Sequence, residues 1–224
     1  MNHLVKSLAT VAAAVASLLV LPKSGHAAEV YASTVTNLLR GTAPGDFFPD
    51  YYGGSLTGSW PVVLDTATAQ ASILGAPDDR FLTLPGVGAQ PPGTAFLGAY
   101  AELSFGMNFG ANTQLRIYEV GNNAETAAVW LWFQDGGFLQ LSATKGDDAA
   151  ILLDLTPYAG LLAGHGGSFT KVGIGGMDEA GASKGFDLDA VSIQAVPEPE
   201  TYALMAGGLG VVGWIARRRR PAAV

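Results

Sequence analysis

From residue 80 onward the apolar positions fall in short runs, alternating or continuous, broken every eight to twelve residues by Gly, Asn, Asp or Pro. That rhythm predicts strands at residues 80–84, 100–105, 114–120, 127–133, 138–143, 151–155, 169–174 and 186–193. It therefore predicts an all-β chain folded as a β-sandwich of jelly-roll type. Asp135-Gly136-Gly137 separates two aromatic and branched runs and is the clearest hairpin turn, because glycine accepts the positive φ such turns need. In Val129-Trp130-Leu131-Trp132-Phe133 both alternating faces are apolar, so this strand is expected centrally in a sheet, with Trp130 and Trp132 in the core. No segment keeps a helical period for three turns. The most helix-like, 65–74, is short, and residues 41–58 and 85–93 read as Gly/Pro-rich loops.

The two ends carry different patterns. Lys6 precedes an uncharged run over residues 8–21, followed by Pro22 and the small residues Ser24, Gly25, Ala27 and Ala28. This is the layout of a secretory signal peptide, with cleavage expected after Ala27. At the other end Val196-Pro197-Glu198-Pro199-Glu200 leads into an uncharged stretch, 201–216, closed by Arg217, Arg218, Arg219 and Arg220. The stretch reads as a single C-terminal transmembrane helix. Its sixteen residues rise only about 24 Å as a helix, against about 30 Å of hydrocarbon, so the anchor is marginal. The arginines resist translocation, which keeps them cytoplasmic and places everything before the helix on the far side. The expected organisation is a signal peptide at 1–27, a β-sandwich domain at 28–196, a tail at 197–220 and a short end at 221–224.

Trimming those ends changes the charge balance. Lys6, Lys23 and the four terminal arginines are half of the 12 basic residues, so residues 28–196 keep only Arg40, Arg80, Arg116, Lys145, Lys171 and Lys184. Seventeen of the 19 acidic residues lie in the same span. A surface this acidic repels phosphate backbones and excludes nucleic acid as a partner. There is no cysteine, which removes disulfide staples and thiolate chemistry although an exported chain could use both. The 169 residues from 28 to 196 suffice for one domain with its own hydrophobic core.

Val196-Pro197-Glu198-Pro199-Glu200-Thr201, the glycine-rich apolar helix and the arginine cluster together resemble a PEP-CTERM sorting tail. The resemblance covers residues 196–220. It implies a Gram-negative bacterium whose exosortase recognises the Pro-Glu-Pro segment, removes the helix and releases the protein toward the cell surface or exopolysaccharide matrix. It also implies the secretion machinery as a partner and the membrane as a transient anchor. In the middle of the chain, Leu74-Gly75-Ala76-Pro77-Asp78-Asp79, Leu115-Arg116-Ile117-Tyr118-Glu119-Val120, Asp135-Gly136 and Gly185-Phe186-Asp187-Leu188-Asp189-Ala190-Val191 follow in order. That order resembles jelly-roll modules found ahead of such tails and is similar to galactose-binding-like β-sandwiches, folds that serve as carbohydrate-binding modules.

Two enzyme-like patterns fail on context. Gly208-Leu209-Gly210-Val211-Val212-Gly213 fits the dinucleotide fingerprint but lies inside the apolar tail, away from any strand-to-helix turn. Gly181-Ala182-Ser183-Lys184-Gly185 fits the nucleophile elbow, yet an alternating strand follows and no histidine comes after the serine; His165 precedes it.

Two features carry candidate chemistry. Asp187 and Asp189 are two apart, so on a strand both carboxylates project from one face. They read as Ca²⁺ ligands joined by Asp78 or Asp79, as a general acid/base pair acting on sugar, or as a solvated strand face. Asp147 and Asp148 form a further acidic turn pair. Phe47, Phe48, Tyr51, Tyr52 and Trp60 gather in a Pro/Gly loop and are the candidate sugar-stacking platform, the alternative being a satellite core. The function expected is therefore a non-enzymatic surface or matrix protein that contacts polysaccharide. The alternatives are a carbohydrate-active hydrolase using acidic residues and a purely structural surface protein.

Overall fold

The computed structural model describes residues 28–40, 50–58, 62–86, 96–121, 125–144, 150–177, 185–196 and 199–218. Residues Ala28–Val196 form one compact unit, and the tail helix belongs to another. The domain is a sandwich of two antiparallel sheets. One runs in the order β10 (Ala150–Asp154), β7 (Thr113–Glu119), β12 (Phe186–Ala195), β5 (Arg80–Leu84), β3 (Tyr51–Ser55) and β4 (Val62–Leu64). In that sheet the short β1 (Val30–Tyr31) pairs with the far half of β12. The other runs in the order β2 (Thr34–Leu39), β6 (Tyr100–Ser104), β11 (Phe169–Gly176), β8 (Thr126–Phe133) and β9 (Phe138–Thr144).

Alternation decides the inner faces. Leu82, Leu84, Leu115, Ile117, Leu188 and Val191 from the first sheet meet Ala101, Leu103, Val129, Leu131, Val172 and Ile174 from the second in one continuous core. Burying aliphatic side chains of this size contributes about 1.5–3 kcal/mol each, which stands in for the absent disulfides. Every strand expected from residue 80 onward is present, with ends shifted by at most two residues. The β8–β9 hairpin closes at Gly136, whose φ is +88°. The Asp135 side chain accepts the Gly137 amide at 3.0 Å beside that turn.

Four strands had no clear sequence pattern. β3 falls within the expected loop 41–58, because Tyr51-Tyr52-Gly53-Gly54-Ser55 does not alternate. A Cβ on Gly53 would collide with the Phe81 carbonyl of the adjoining β5, so this glycine permits the pairing. β2 is an edge strand with a bulge between Val35 and Asn37, which breaks its period. β1 and β4 are too short to carry a period.

Three short helical pieces appear where little helix is expected. Helix α1 (Thr66–Ala71) lies in the helix-like segment and is capped by the Asp65 carboxylate, which accepts the Thr68 amide at 2.7 Å. A 3₁₀ turn (Thr156–Tyr158) leads into α2 (Ala159–Ala163), and both are too brief to show amphipathic spacing.

The tail helix α3 spans Pro199–Arg218. Among the described residues no helix is long and apolar enough to cross a membrane, the helix expected over 201–216 included. The cause is visible in the sequence. The uncharged stretch is sixteen residues long, so any wider window takes in Glu200 or Arg217, and four glycines dilute its hydropathy.

Candidate functional site

The expected acidic site resolves into two separate hydrogen-bonded groups. A bulge between Leu188 and Ala190 sets Asp189 apart from the regular β12 register. The Asp189 carboxylate accepts the backbone amides of Asp78 and Asp79, each at 3.2 Å. Asp187 Oδ1 instead accepts the Thr83 hydroxyl at 2.6 Å, on the neighbouring strand. Asp78 turns back on its own loop, accepting the Arg80 amide at 3.1 Å. Asp79 takes a left-handed conformation with φ +65°. Among the described residues no group of three or more His, Cys, Asp or Glu is placed to hold a metal ion. Asp187 and Asp189 thus have different hydrogen-bond partners, with Asp189 clamping the 78–79 backbone. Burial pushes its carboxyl up to about 6; the two amides pull the other way, and the charges of Asp78 and Asp79 reinforce the rise.

The expected aromatic platform is described only at Tyr51 and Tyr52; Phe47, Phe48 and Trp60 lie outside the described residues. Tyr51 is half-buried against the core. Its hydroxyl donates to the Leu38 carbonyl at 3.1 Å, and the Arg40 guanidinium covers its ring at 4.9 Å. Tyr51 is thus a packed residue.

A different aromatic surface lies on the outer face of the five-stranded sheet. β8 has strands on both sides, but Val129, Leu131 and Phe133 face the core while Trp130 and Trp132 face out. Trp130 is buried, as expected, but on the outer face, while Trp132 is half-buried, and neither joins the core cluster between the sheets. Their neighbour β11 explains it. Gly173 and Gly175 occupy its outward positions, in register with Trp130 and Ala128. A Cβ on Gly173 would come within 2.7 Å of the Trp132 ring, and one on Gly175 within 2.6 Å of Phe96 and 2.9 Å of Trp130. The rings therefore lie across bare strand backbone.

Phe96, Tyr100, Trp130, Trp132 and Phe138 line a groove of about 220 Å³. Trp130 forms its floor, 8% exposed, with Phe96 edge-on at 4.8 Å and Tyr100 at 6.0 Å. Trp132 and Phe138 form one wall, their centroids 6.3 Å apart. Phe138 is 56% exposed although it is a large apolar ring.

Polar groups border these rings. Lys171 Nζ sits 5.1 Å from the Trp132 centroid and donates to Glu102 Oε1 at 2.7 Å. Thr36 Oγ1 donates to the same oxygen at 2.6 Å. Burial, and then the Glu102 charge, push the Tyr100 phenol above its ordinary value against the opposing Asn37 hydrogen bond. The hydroxyl stays protonated at neutral pH and accepts Asn37 Nδ2 at 2.8 Å. Gln140, the register partner of Trp130, lies exposed on the same face. Flat apolar faces ringed by fixed donors and acceptors can bind a molecule that is apolar on its faces and polar at its edges.

His165 stands elsewhere. Its ring stacks on Phe133 at 4.4 Å, and its Nδ1 lies 2.7 Å from Asp135 Oδ2 at the β8–β9 turn. That hydrogen bond, with the Gly137 amide, holds the Asp135 carboxyl below its ordinary value. Ser183 of the elbow-like pattern lies outside the described residues.

Residues 195–220 match the PEP-CTERM protein-sorting motif. The match begins where the domain ends: the Val196 amide donates to the Asn112 carbonyl at 2.8 Å, just after β12. The motif identifies an exported surface protein that is anchored transiently at the membrane and processed by an exosortase. Comparison with curated proteins finds no match for the chain.

Proposed function

We propose that the protein is a non-enzymatic component of the cell surface or exopolysaccharide matrix, which contacts polysaccharide through the groove over β8, β9 and β11. The observation carrying this reading is the outward Trp130–Trp132–Phe138 surface, whose two tryptophans lie against Gly173 and Gly175. Large rings on a solvent-facing sheet are costly unless something covers them. A pyranose suits the place, because its apolar face stacks on an indole while its rim hydroxyls reach hydrogen-bonding side chains such as Asn37, Gln140 and Lys171. The groove is open along the sheet face, so a long chain can lie across it without being enclosed. Export directed by the sorting motif brings the domain to the compartment where such chains accumulate. The uncharged stretch of the tail helix is short of a full bilayer span, which agrees with an anchor that is removed.

The test is calorimetric titration of the full chain with oligosaccharides from bacterial exopolysaccharides, together with Trp132→Ala. We expect saturable binding that falls roughly tenfold in the variant, the loss of about 1–1.5 kcal/mol of stacking. No binding to any glycan would reject the reading in favour of a structural role. Release of reducing sugar would reject the non-enzymatic part in favour of a hydrolase.

A further inference from the structure

We infer that the groove selects neutral over acidic sugars, and that Glu102 is the residue that sets this selectivity. The inference rests on the polysaccharide reading above and adds to it the charge class of the ligand. Lys171 borders the groove beside Trp132, with its side chain 33% exposed. Alone it would attract the carboxylate of a hexuronic acid stacked on that ring. Its charge is spoken for: Glu102 Oε1 accepts Nζ at 2.7 Å from a side chain that is only 10% exposed.

Thr36 Oγ1 binds the same Glu102 oxygen and fixes the carboxylate in place. The pair leaves the groove with no net charge, and a sugar carboxylate drawn to Lys171 would approach Glu102 as well. With little water around Glu102 to screen it, that repulsion is stronger than at an open surface. The rest of the domain pushes the same way, since residues 28–196 carry seventeen acids against six bases. A neutral sugar pays neither penalty. Its hydroxyls can accept from Lys171, whose ammonium keeps protons beyond the one given to Glu102.

A matched ligand pair isolates the charge. The full chain is titrated with oligomers of a β-1,4-linked hexuronic acid, and with the same oligomers after reduction of their carboxyl groups to primary alcohols. We expect the reduced oligomers to bind at least about tenfold tighter. In Glu102→Gln the acceptor oxygen and shape persist while the charge is gone, so affinity for the acidic oligomers should rise about fivefold, with little change for the reduced ones. Adding Lys171→Met to that variant should cancel the gain, and thermal melting of each variant checks that it is folded. Equal affinity of the wild type for both oligomers, or an unchanged preference in folded Glu102→Gln, would overturn the selectivity while leaving the sugar site standing. Absence of binding to either oligomer, together with absence of binding to neutral exopolysaccharide fragments, would overturn both.

Discussion

Gly173→Ala separates a surface built for a ligand from one that merely packs. The added methyl would meet the Trp132 ring at 2.7 and 2.8 Å, where ordinary contact begins at 3.4 Å. The indole must therefore move by about 0.7 Å or tilt, since dispersion contacts turn steeply repulsive at shorter range. Trp132 is only half-buried, and the atoms that meet the added methyl are at the far end of its indole, so the ring can give way outward. The cost of displacing it, about 1 kcal/mol at the low end of overpacking, is offset by about 0.5–1 kcal/mol gained on replacing glycine in a strand interior. The melting temperature should stay within a few degrees of wild type. The ring would no longer lie flat, so sugar binding should weaken about tenfold. Gly175→Ala provides the contrast. It meets Phe96 at 2.6 Å and Trp130 at 2.9 Å, and Trp130 is too buried to retreat, so about 1–3 kcal/mol of stability should be lost as well. Thermal melts and calorimetric titrations of the three proteins check both. Wild-type affinity in Gly173→Ala would refute the claim that the glycine stripe seats the platform.

Other expectations concern the acidic groups and the domain's edge. Because burial raises the Asp189 carboxyl to about 6, its ionisation costs stability. That stability is fully present below the ordinary carboxylate range and is lost as pH rises to about 6, by roughly 1–2 kcal/mol after solvent screening. Urea midpoints of Asp189→Asn should lack this decline, and curves parallel to wild type from pH 4 to 7 would contradict it. Burial raises the Glu29 carboxyl, but hydrogen bonds from Ser192, Tyr118 and Tyr31 and the Arg116 charge together hold it below its ordinary value. Its stabilisation should therefore be present above the ordinary carboxylate range and fade at lower pH; Glu29→Ala should cost about 1–2 kcal/mol at neutral pH by urea denaturation. Asp187 and Asp189 bind Thr83 and the 78–79 amides, so EDTA and added Ca²⁺ should leave the melting temperature unchanged. A fall in EDTA reversed by Ca²⁺ would restore the cation site.

Period-2 alternation made the sandwich legible from residue 80 onward, because β5 to β12 each bury one apolar face. It failed for Tyr51–Ser55, where pairing depends on Gly53 admitting the Phe81 carbonyl, a contact made only in the folded sheet. It also could not orient Trp130 and Trp132, since both faces of β8 are apolar. The deciding residues are Gly173 and Gly175, which sit far along the chain and meet the tryptophans only through the β8–β11 register. A signal was present in Lys171-Val172-Gly173-Ile174-Gly175. A strand with glycine at successive positions of one face leaves room for something to lie there. The Asp187–Asp189 spacing placed the two carboxylates two residues apart on a strand, but the bulge at Leu188–Ala190 and the two loop amides gave them separate partners. The sorting tail was readable throughout because it is a local, ordered motif that needs no tertiary contact.

Quenching of intrinsic tryptophan fluorescence by purified exopolysaccharide, compared between the full chain and its Trp132→Ala variant, tests the groove most directly. Saturable quenching by wild type that weakens about tenfold in a variant of unchanged fold is the expected result. Equal titration curves for the two proteins, or no saturable response in wild type, would contradict the account.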